Sequence, residues 1–295
     1  MIVDSHNHLT KYSPDASQTR EEMMQAATEI GLHGIVTTDH YDIGSITAYG
    51  QEWVFDPVEY CEDIYPHRRL PSRRQKDDPP GFLCGAEIGY IPEYIDRLNK
   101  LMTDYPWDIV IMSLHLVHGI DPFHEPEKIY KPSLEDTFRE ILEVIAESAE
   151  MMPTANIIGH YDYFSRYGPQ EKSKMLYRHA PREFDHLFRI MIKNGQALEI
   201  NTGTVEKLHL NRGYPLEEAM PDAEILARYK ELGGTLISIS SDAHHTNQVG
   251  RLVPETCAWL HKQGITDYVW FEERKPIKGT FEADENLLTA LDKKS

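Results

Sequence analysis

Short apolar runs rich in β-branched residues alternate along this chain with longer segments of helical periodicity. The runs predict strands at residues 1–3, 34–40, 82–88, 108–115, 156–160, 197–201, 235–242 and 268–271. The helical segments cover residues 18–31, 93–104, 133–150, 182–194, 222–232 and 250–262, whereas residues 42–81 show no clear pattern. Such alternation is typical of βα units around a parallel sheet. We therefore expect one domain over residues 1–295, an α/β barrel of seven or eight strands.

Histidines and carboxylates stand where the predicted strands end. They are His6 and His8, Asp39 and His40, Glu87, His115, His160, and Asp242 and His244. Because barrel enzymes build their sites from the C-terminal ends of the strands, we expect these side chains to meet at one mouth. Imidazole and carboxylate groups are common ligands of divalent metal ions. The pattern predicts a metal site, with Asp15, seven residues after His8, as a further candidate ligand.

A structural alternative exists for each of these residues. A single histidine at a strand end is more often a hydrogen-bonded structural residue than a metal ligand. Unrelated structural histidines, however, have no reason to recur at almost every strand end. We interpret Asp39 as a carboxylate that orients an imidazole, and Glu199 either as a similar group or as a charge inside the barrel.

The composition excludes several classes of protein. The chain has 30 Lys and Arg against 48 Asp and Glu, and its net charge of −18 argues against binding to nucleic acid polymers. The sequence contains no apolar run of roughly 18 residues, as a membrane span needs, and no secretory leader is expected before His6. The three scattered cysteines indicate reduced thiols and a cytoplasmic protein. The basic segment at residues 66–76 is interpreted as solvated, with an arginine that reaches an anionic substrate as the alternative.

The metal-type residues occur in motifs that resemble a known family. The motifs are His6-Asn-His8, Thr-Asp-His40, Gly-Ala-Glu87, Ser-Leu-His115, Gly-His160 and Ser-Asp242-Ala-His244. In this order they resemble the PHP (polymerase and histidinol phosphatase) superfamily, and residues 159–168, 198–203 and 269–276 resemble its histidinol-phosphate phosphatase branch. The resemblance implies a distorted (β/α)7 TIM-like barrel, the PHP fold, that holds three divalent metal ions.

The resemblance also implies how the ligands are shared. His6, His8, Glu87 and Asp242 would hold one ion; Asp15, His40 and His244 a second; and Glu87, His115 and His160 a third. The nitrogen and oxygen ligands suit zinc, manganese or iron equally. Asp242 or His244 is expected to protonate the leaving group. Arg166 is expected to contact phosphate, with a salt bridge at the rim of the site as the alternative. Arg212 is expected as a second phosphate contact, with Lys207 as its alternative.

The activity implied is hydrolysis of a small phosphorylated substrate, L-histidinol phosphate, by hydroxide generated at the metal centre. Acidic residues in the loops after Glu87 and His115, including Asp121, are candidates to bind the amine of histidinol. Two alternatives remain: another PHP phosphoesterase, acting on phosphotyrosine or a nucleotide, and a non-catalytic metal-binding PHP domain. The sequence does not determine the oligomeric state.

Overall fold

Seven parallel strands form the centre of the molecule, in a computed structural model that describes residues 2–168 and 173–280. In chain order they are Val3–Asp4 (β1), Gly34–Tyr41 (β2), Gly81–Gly89 (β3), Ile109–Ser113 (β4), Ile157–Ile158 (β5), Ala197–Asn201 (β6) and Ile237–Ser240 (β7). Each strand pairs with the next one along the chain, and every pairing is parallel. Residues 1, 169–172 and 281–295 of the predicted domain lie outside the described residues.

The last strand returns to the first, so the sheet is a nearly closed barrel. The amide of Ser5 donates to the carbonyl of Ile239 at 3.1 Å, and Asn7 forms a parallel bridge with Ala243. The seven strands are buried along their whole length, which explains their apolar, β-branched sequences. The prediction of an α/β barrel of the (β/α)7 type is confirmed.

The predicted strand at residues 268–271 is not part of the barrel. It lies within Asp267–Glu272 (β8), which pairs antiparallel with Lys275–Thr280 (β9) in a separate hairpin. Arg274 and Glu273, in the turn, have positive φ angles of 68° and 50°. A buried apolar run has the same sequence character in a hairpin as in a barrel, so the pattern could not distinguish the two.

Helices cover the outside of the barrel. They are Arg20–Glu29 (α1), Ile46–Tyr49 (α2), Pro57–Ile64 (α3), Ile95–Asp104 (α4), Pro126–Ile129 (α5), Leu134–Met151 (α6), Pro181–Asn194 (α7), Thr202–Arg212 (α8), Leu216–Ala219 (α9), Ala223–Glu231 (α10) and Val253–Lys262 (α11). All six predicted helices are present. Among the residues described, no helix combines the length and the apolar composition needed to cross a membrane.

Two longer helices, α3 and α8, were not predicted. Helix α3 has a local signal, because Asp56 caps it by accepting from the Val58 and Glu59 amides and Pro57 occupies its first turn. Helix α8 follows β6 with no loop between them, and Asn201 caps it by accepting from the Thr204 amide at 3.1 Å. Its first turn is buried on all sides, so it lacks the amphipathic pattern by which helices are recognised.

The basic segment is anchored at the N-terminal end of the barrel. Arg68 donates from Nε and Nη2 to the buried carboxylate of Asp108 at 2.6–3.0 Å, just before β4. Asp108 also accepts from the amides of Cys84 and Glu273, and so ties the hairpin turn to the barrel. This arginine therefore has a structural partner far from the strand ends that carry the histidines.

Replacing Arg68 with alanine is expected to destabilise the fold by about 3 kcal/mol, because it leaves a buried carboxylate without its counter-ion. The measurement is the free energy of unfolding from urea titration. The control is Arg73→Ala, an exposed arginine in the same segment, for which a change below about 0.5 kcal/mol is expected. Equal effects of the two variants would contradict a structural role for the Arg68–Asp108 pair.

Candidate metal centre

Glu87, at the end of β3, is the carboxylate around which the predicted ligands gather. Its Oε1 lies 2.8 Å from Nε2 of His160 and 3.1 Å from Nε2 of His115. Its Oε2 lies 3.2 Å from Nε2 of His6 and 2.9 Å from Nδ1 of His40. The Glu87 side chain is almost completely buried, at 1% exposed. Four strand ends and one central carboxylate thus meet at a single point.

Asp242, after β7, completes a group of four donors with His6, His8 and Glu87. Its Oδ1 lies 3.4 Å from Nε2 of His8 and 3.9 Å from Nε2 of His6. Nε2 of His8 is 3.6 Å from Oε2 of Glu87. These four residues are the set that the resemblance assigned to one ion.

Asp15 forms a second group with His40 and His244 at the rim. Its two oxygens lie 3.0 Å from Nε2 of His244 and 3.6 Å from Nε2 of His40. The two imidazole Nε2 atoms are 3.4 Å apart. Asp15 is the most exposed of the predicted ligands, with 38% of its side chain accessible.

The chemistry of the donor atoms fits divalent cations. Several buried polar atoms here have no hydrogen-bond partner among the described residues: Nε2 of His6, Nε2 of His8, Nδ1 of His40 and Oε2 of Glu87. Buried polar atoms are nearly always paired, so unpaired ones that face one another need a shared partner. Donor atoms of three or more residues lie within 4.8 Å of one another in several overlapping groups, among them Glu87 with His115 and His160. A divalent ion can be bonded by all the atoms of such a group.

A second layer of side chains fixes the direction of the imidazoles of His6 and His8. Nδ1 of His6 lies 2.8 Å from Oε1 of Glu199, which also accepts from Ser240. Nδ1 of His8 lies 3.1 Å from Oγ of Ser13, which donates to Asp39 at 2.8 Å. With Nδ1 engaged in this way, Nε2 presents its lone pair to the centre. The contacts agree with the orienting roles predicted for Asp39 and Glu199.

The role of Asp42 at the site was not predicted from the sequence. Its Oδ1 lies 3.0 Å from Nδ1 of His115, so it orients that imidazole toward Glu87. Gly89, opposite it on β3, is required because a Cβ there would lie 1.8 Å from the same Oδ1. A signal was present, because Asp42 follows His40 by two residues and so points to the same side of an extended chain.

Burial and neighbouring groups set the charges at the centre. Burial by itself would raise the pKa of Glu87, but the nearby imidazoles of His6, His115 and His40 lower it by more. The resulting pKa of Glu87 lies well below the usual range for a glutamate. The pKa of His8 is well below its ordinary value because of burial and the nearby His244 and His40. Glu87 is therefore ionised and His8 neutral, whereas His6, His40 and His115, whose pKa values the carboxylates raise against the effect of burial, must each lose a proton to bind metal.

A cavity of about 490 Å³ opens over the centre. His40, His115, His160, Asp242, His244 and Asp15 reach its lining, as do Arg166 and Lys207. Arg212 does not reach this lining, because its guanidinium donates to the Gly168 carbonyl and, at 3.0 Å, to Oγ of Ser173. Of the two side chains predicted as the second phosphate contact, the structure brings Lys207 to the cavity and leaves Arg212 outside it.

Comparison with known proteins agrees with this geometry. The model of the PHP domain family matches residues 4–203. The chain belongs to the PHP domain family. It is 30% identical over 252 residues to a protein of Clostridium acetobutylicum named "Probable histidinol-phosphatase", covering 85% of this chain and 89% of that protein. It is 23% identical over 273 residues to the histidinol-phosphatase of Lactococcus lactis, covering 92% and 95% of the two chains.

Solved structures of PHP proteins share the fold. The crystal structure of the Lactococcus lactis histidinol phosphate phosphatase, complexed with zinc, L-histidinol and phosphate, superposes with a TM-score of 0.78 at 22% identity. The superposition covers 94% of this chain and 98% of that one. A putative histidinol phosphatase from Listeria monocytogenes gives a TM-score of 0.66 over 84% of this chain and 97% of its own.

Replacing His160 with alanine is expected to reduce the bound metal by about one ion per chain, because Oε1 of Glu87 would keep only one imidazole beside it. The measurement is metal content by atomic emission after dialysis. His186→Ala, which removes an exposed histidine of α7, is the matched control and should keep the wild-type content. An unchanged metal content in His160→Ala would contradict its assignment as a ligand.

Proposed function

We propose that this protein is a metal-dependent phosphomonoester hydrolase that converts L-histidinol phosphate and water to L-histidinol and phosphate. The observation that carries the proposal is the convergence of nine histidine and carboxylate side chains, from six strand ends and the loop after β1, beneath one open cavity. Near-full-length similarity to curated histidinol-phosphatases supports the substrate. We place the activity in a single domain formed by residues 1–295.

The three groups of donors would hold three divalent ions. The first is His6, His8, Glu87 and Asp242; the second is Asp15, His40 and His244; the third is Glu87, His115 and His160. No thiolate takes part, so zinc, manganese and iron all suit the site, and the zinc in the Lactococcus lactis relative favours zinc. Ions bound here would activate water and neutralise charge on the phosphate.

Arg166 brings a fixed positive charge to the phosphate end of the cavity. Its Nε donates to Oγ1 of Thr204 at 2.9 Å, and its Nη2 to Asn201 at 3.0 Å and to Oδ2 of Asp242 at 3.1 Å. These contacts hold the guanidinium, which is 5% exposed, against the cavity wall. A charge fixed in advance stabilises the transition state without reorganisation.

Lys207 supplies a second, less constrained charge. Its Nζ lies 5.8 Å from the centre of the Tyr167 ring and makes no hydrogen bond or ion pair with any described residue. Burial, followed by the nearby Arg166, lowers the pKa of Lys207. An ammonium that lines the cavity and forms no ion pair with a described residue is suited to an anionic substrate.

Other side chains that line the cavity are suited to the leaving group. Tyr49 and Trp53 are stacked with ring centres 4.2 Å apart, and Phe123 continues this aromatic surface. Beside it, Asp121 is 5% exposed and accepts from the hydroxyl of Tyr163 at 3.1 Å. A flat imidazole can pack on the rings while an amine pairs with the carboxylate. This wall favours histidinol phosphate over a sugar phosphate.

The leaving alkoxide needs a proton, for which Asp242 and His244 remain the candidates. Both line the cavity. Oδ1 of Asp242 faces the imidazoles of His6 and His8, whereas Oδ2 faces Arg166. Nδ1 of His244 is engaged by the carbonyl of Asp242 at 3.0 Å. Oδ2 of Asp242 is not one of the atoms that face the histidines, whereas Nε2 of His244 belongs to the second ligand group, so His244 could donate the proton only if that nitrogen were free of metal.

The substrate assignment is tested by phosphate release with zinc- or manganese-loaded protein. We expect kcat/KM for L-histidinol phosphate to exceed that for glucose 6-phosphate, phosphotyrosine and AMP by at least roughly 100-fold, because the aromatic and acidic wall binds the imidazole and amine. Equally slow hydrolysis of all four esters would reject this substrate and leave the metal centre standing. Preference for phosphotyrosine or AMP would identify a different PHP phosphoesterase.

Replacing Lys207 with methionine is expected to raise KM for L-histidinol phosphate by roughly 10-fold, since an ammonium–phosphate contact contributes on the order of 1.5 kcal/mol. The bound metal should be unchanged, because Lys207 touches none of the ligands. The parallel variant Arg212→Met should leave KM near that of the wild type. A larger effect of Arg212→Met would show that Arg212, and not Lys207, contacts phosphate.

A further inference from the structure

The backbone of Asp242 is in an unfavourable conformation. Its φ angle is +53°, in the left-handed region that residues other than glycine rarely adopt. This conformation turns the carboxylate toward His6 and His8 while the Asp242 amide donates to the carbonyl of His6 at 3.0 Å. Such a backbone persists only where its surroundings hold it.

The side chain of Arg251 is the group that contacts this turn from the outside. Its Nε donates to the carbonyl of Ser241 and its Nη2 to the carbonyl of Asp242, both at 3.0 Å. Its Nη1 donates to Oε2 of Glu206, on α8, at 2.7 Å. The guanidinium therefore spans two consecutive carbonyls with two parallel donors, a geometry that lysine cannot reproduce.

Gly203, in the first turn of α8, leaves the space that the guanidinium occupies. A Cβ at this position would lie 2.5 Å from Nη2 of Arg251 and 3.1 Å from the carbonyl oxygen of Ser241. Glycine is otherwise unfavourable inside a helix. Its presence here is explained by the close approach of the arginine.

The backbone around Arg251 is tied to the same turn. Oγ1 of Thr202 lies 2.6 Å from the carbonyl oxygen of Arg251 and 3.0 Å from that of Ser240, so its one proton bonds to either of them. The Arg251 amide donates to the carbonyl of Gln248, whose Oε1 accepts from the His244 amide at 2.9 Å. The segment at 248–251 thus holds both ends of the turn that carries Asp242 and His244.

We propose that Arg251, admitted by Gly203 and held by Glu206, is a positioning residue that keeps Asp242 in its left-handed conformation and so keeps the carboxylate on the metal centre. The proposal rests on the metal centre of the proposed function, but not on the identity of the substrate. It assigns Arg251 no contact with the phosphate, although the residue borders the cavity.

The test measures the affinity of Arg251→Ala for zinc, by competition with a chelator in the absence of substrate, together with kcat and KM. We expect the affinity for the most weakly held ion and kcat each to fall roughly 10- to 100-fold, with little change in KM, as is usual when a group that orients a ligand is removed. Millimolar guanidinium ion should restore part of both losses, because Gly203 leaves room for it. Arg251→Lys should show the loss without the rescue.

Gly203→Ala tests the same contact without changing the arginine. Alanine favours a helix more than glycine does, but its Cβ would lie 2.5 Å from Nη2 of Arg251 and 2.9 Å from Oδ1 of Asn201, so both side chains must shift. We expect zinc affinity to fall in the same direction as in Arg251→Ala. Arg182→Ala, which removes an exposed arginine of α7, is the control and should match the wild type with or without guanidinium.

Two results would overturn the proposal. The first is a zinc affinity of Arg251→Ala equal to that of the wild type. If circular dichroism shows that Arg251→Ala does not fold, the same result in both Arg251→Lys and Gly203→Ala would overturn the proposal. The second is a rise in KM alone, which would make Arg251 a substrate contact. Because zinc affinity is measured without substrate, a failure of the protein to hydrolyse L-histidinol phosphate would reject the proposed function and leave this test intact.

Discussion

The structure depends on burying ionised and polar ligand atoms, several of which have no hydrogen-bond partner among the described residues. Glu87 is the extreme case, since it is buried at the centre of the barrel mouth and surrounded by imidazoles. Removing a carboxylate from water costs several kcal/mol unless other charges offset the loss. Divalent cations offset it most effectively, because each one bonds several of these atoms at once. We therefore expect the metal ions that we propose at this site to stabilise the cluster of ligand side chains at the strand ends.

Around the ligands, hydrogen bonds from a second layer make the arrangement rigid. Glu199, Ser13 and Asp42 each engage the Nδ1 atom of one histidine, so that the opposite nitrogen faces inward. The loop after β7 is held in a different way, through its backbone carbonyls and the half-buried Arg251. Strand ends are fixed by the sheet itself, whereas a left-handed turn needs contacts from other elements. This difference explains why the supports of Asp242 come from α8 and the segment before α11.

The cavity above the centre divides into two regions of different chemistry. Arg166 and Lys207 provide positive charge beside the ligands. The stacked aromatic rings and the buried Asp121, which line the same cavity, form a surface suited to a flat, cationic group. The phosphate ester of an amino alcohol that carries an imidazole ring combines an anionic group with a flat, cationic part in the same way. The overall net charge of −18 does not oppose binding of an anion here, because the local field is set by these nearby groups.

The sequence by itself determined the barrel and which histidine and carboxylate side chains meet at its mouth. Parallel strands end on one side of a barrel, so a histidine or carboxylate after each strand must arrive at the same mouth, whatever the distance along the chain. Other features depended on contacts that no local pattern encodes. The buried run at 268–271 belongs to a hairpin outside the barrel, α8 lacks an amphipathic face, and Arg212 is drawn to the backbone near Gly168. Only the tertiary structure could decide these three features, because the partner of a side chain is set by which elements pack together. Arg251 is a further example, since the space for its guanidinium is left by Gly203, in a distant part of the chain.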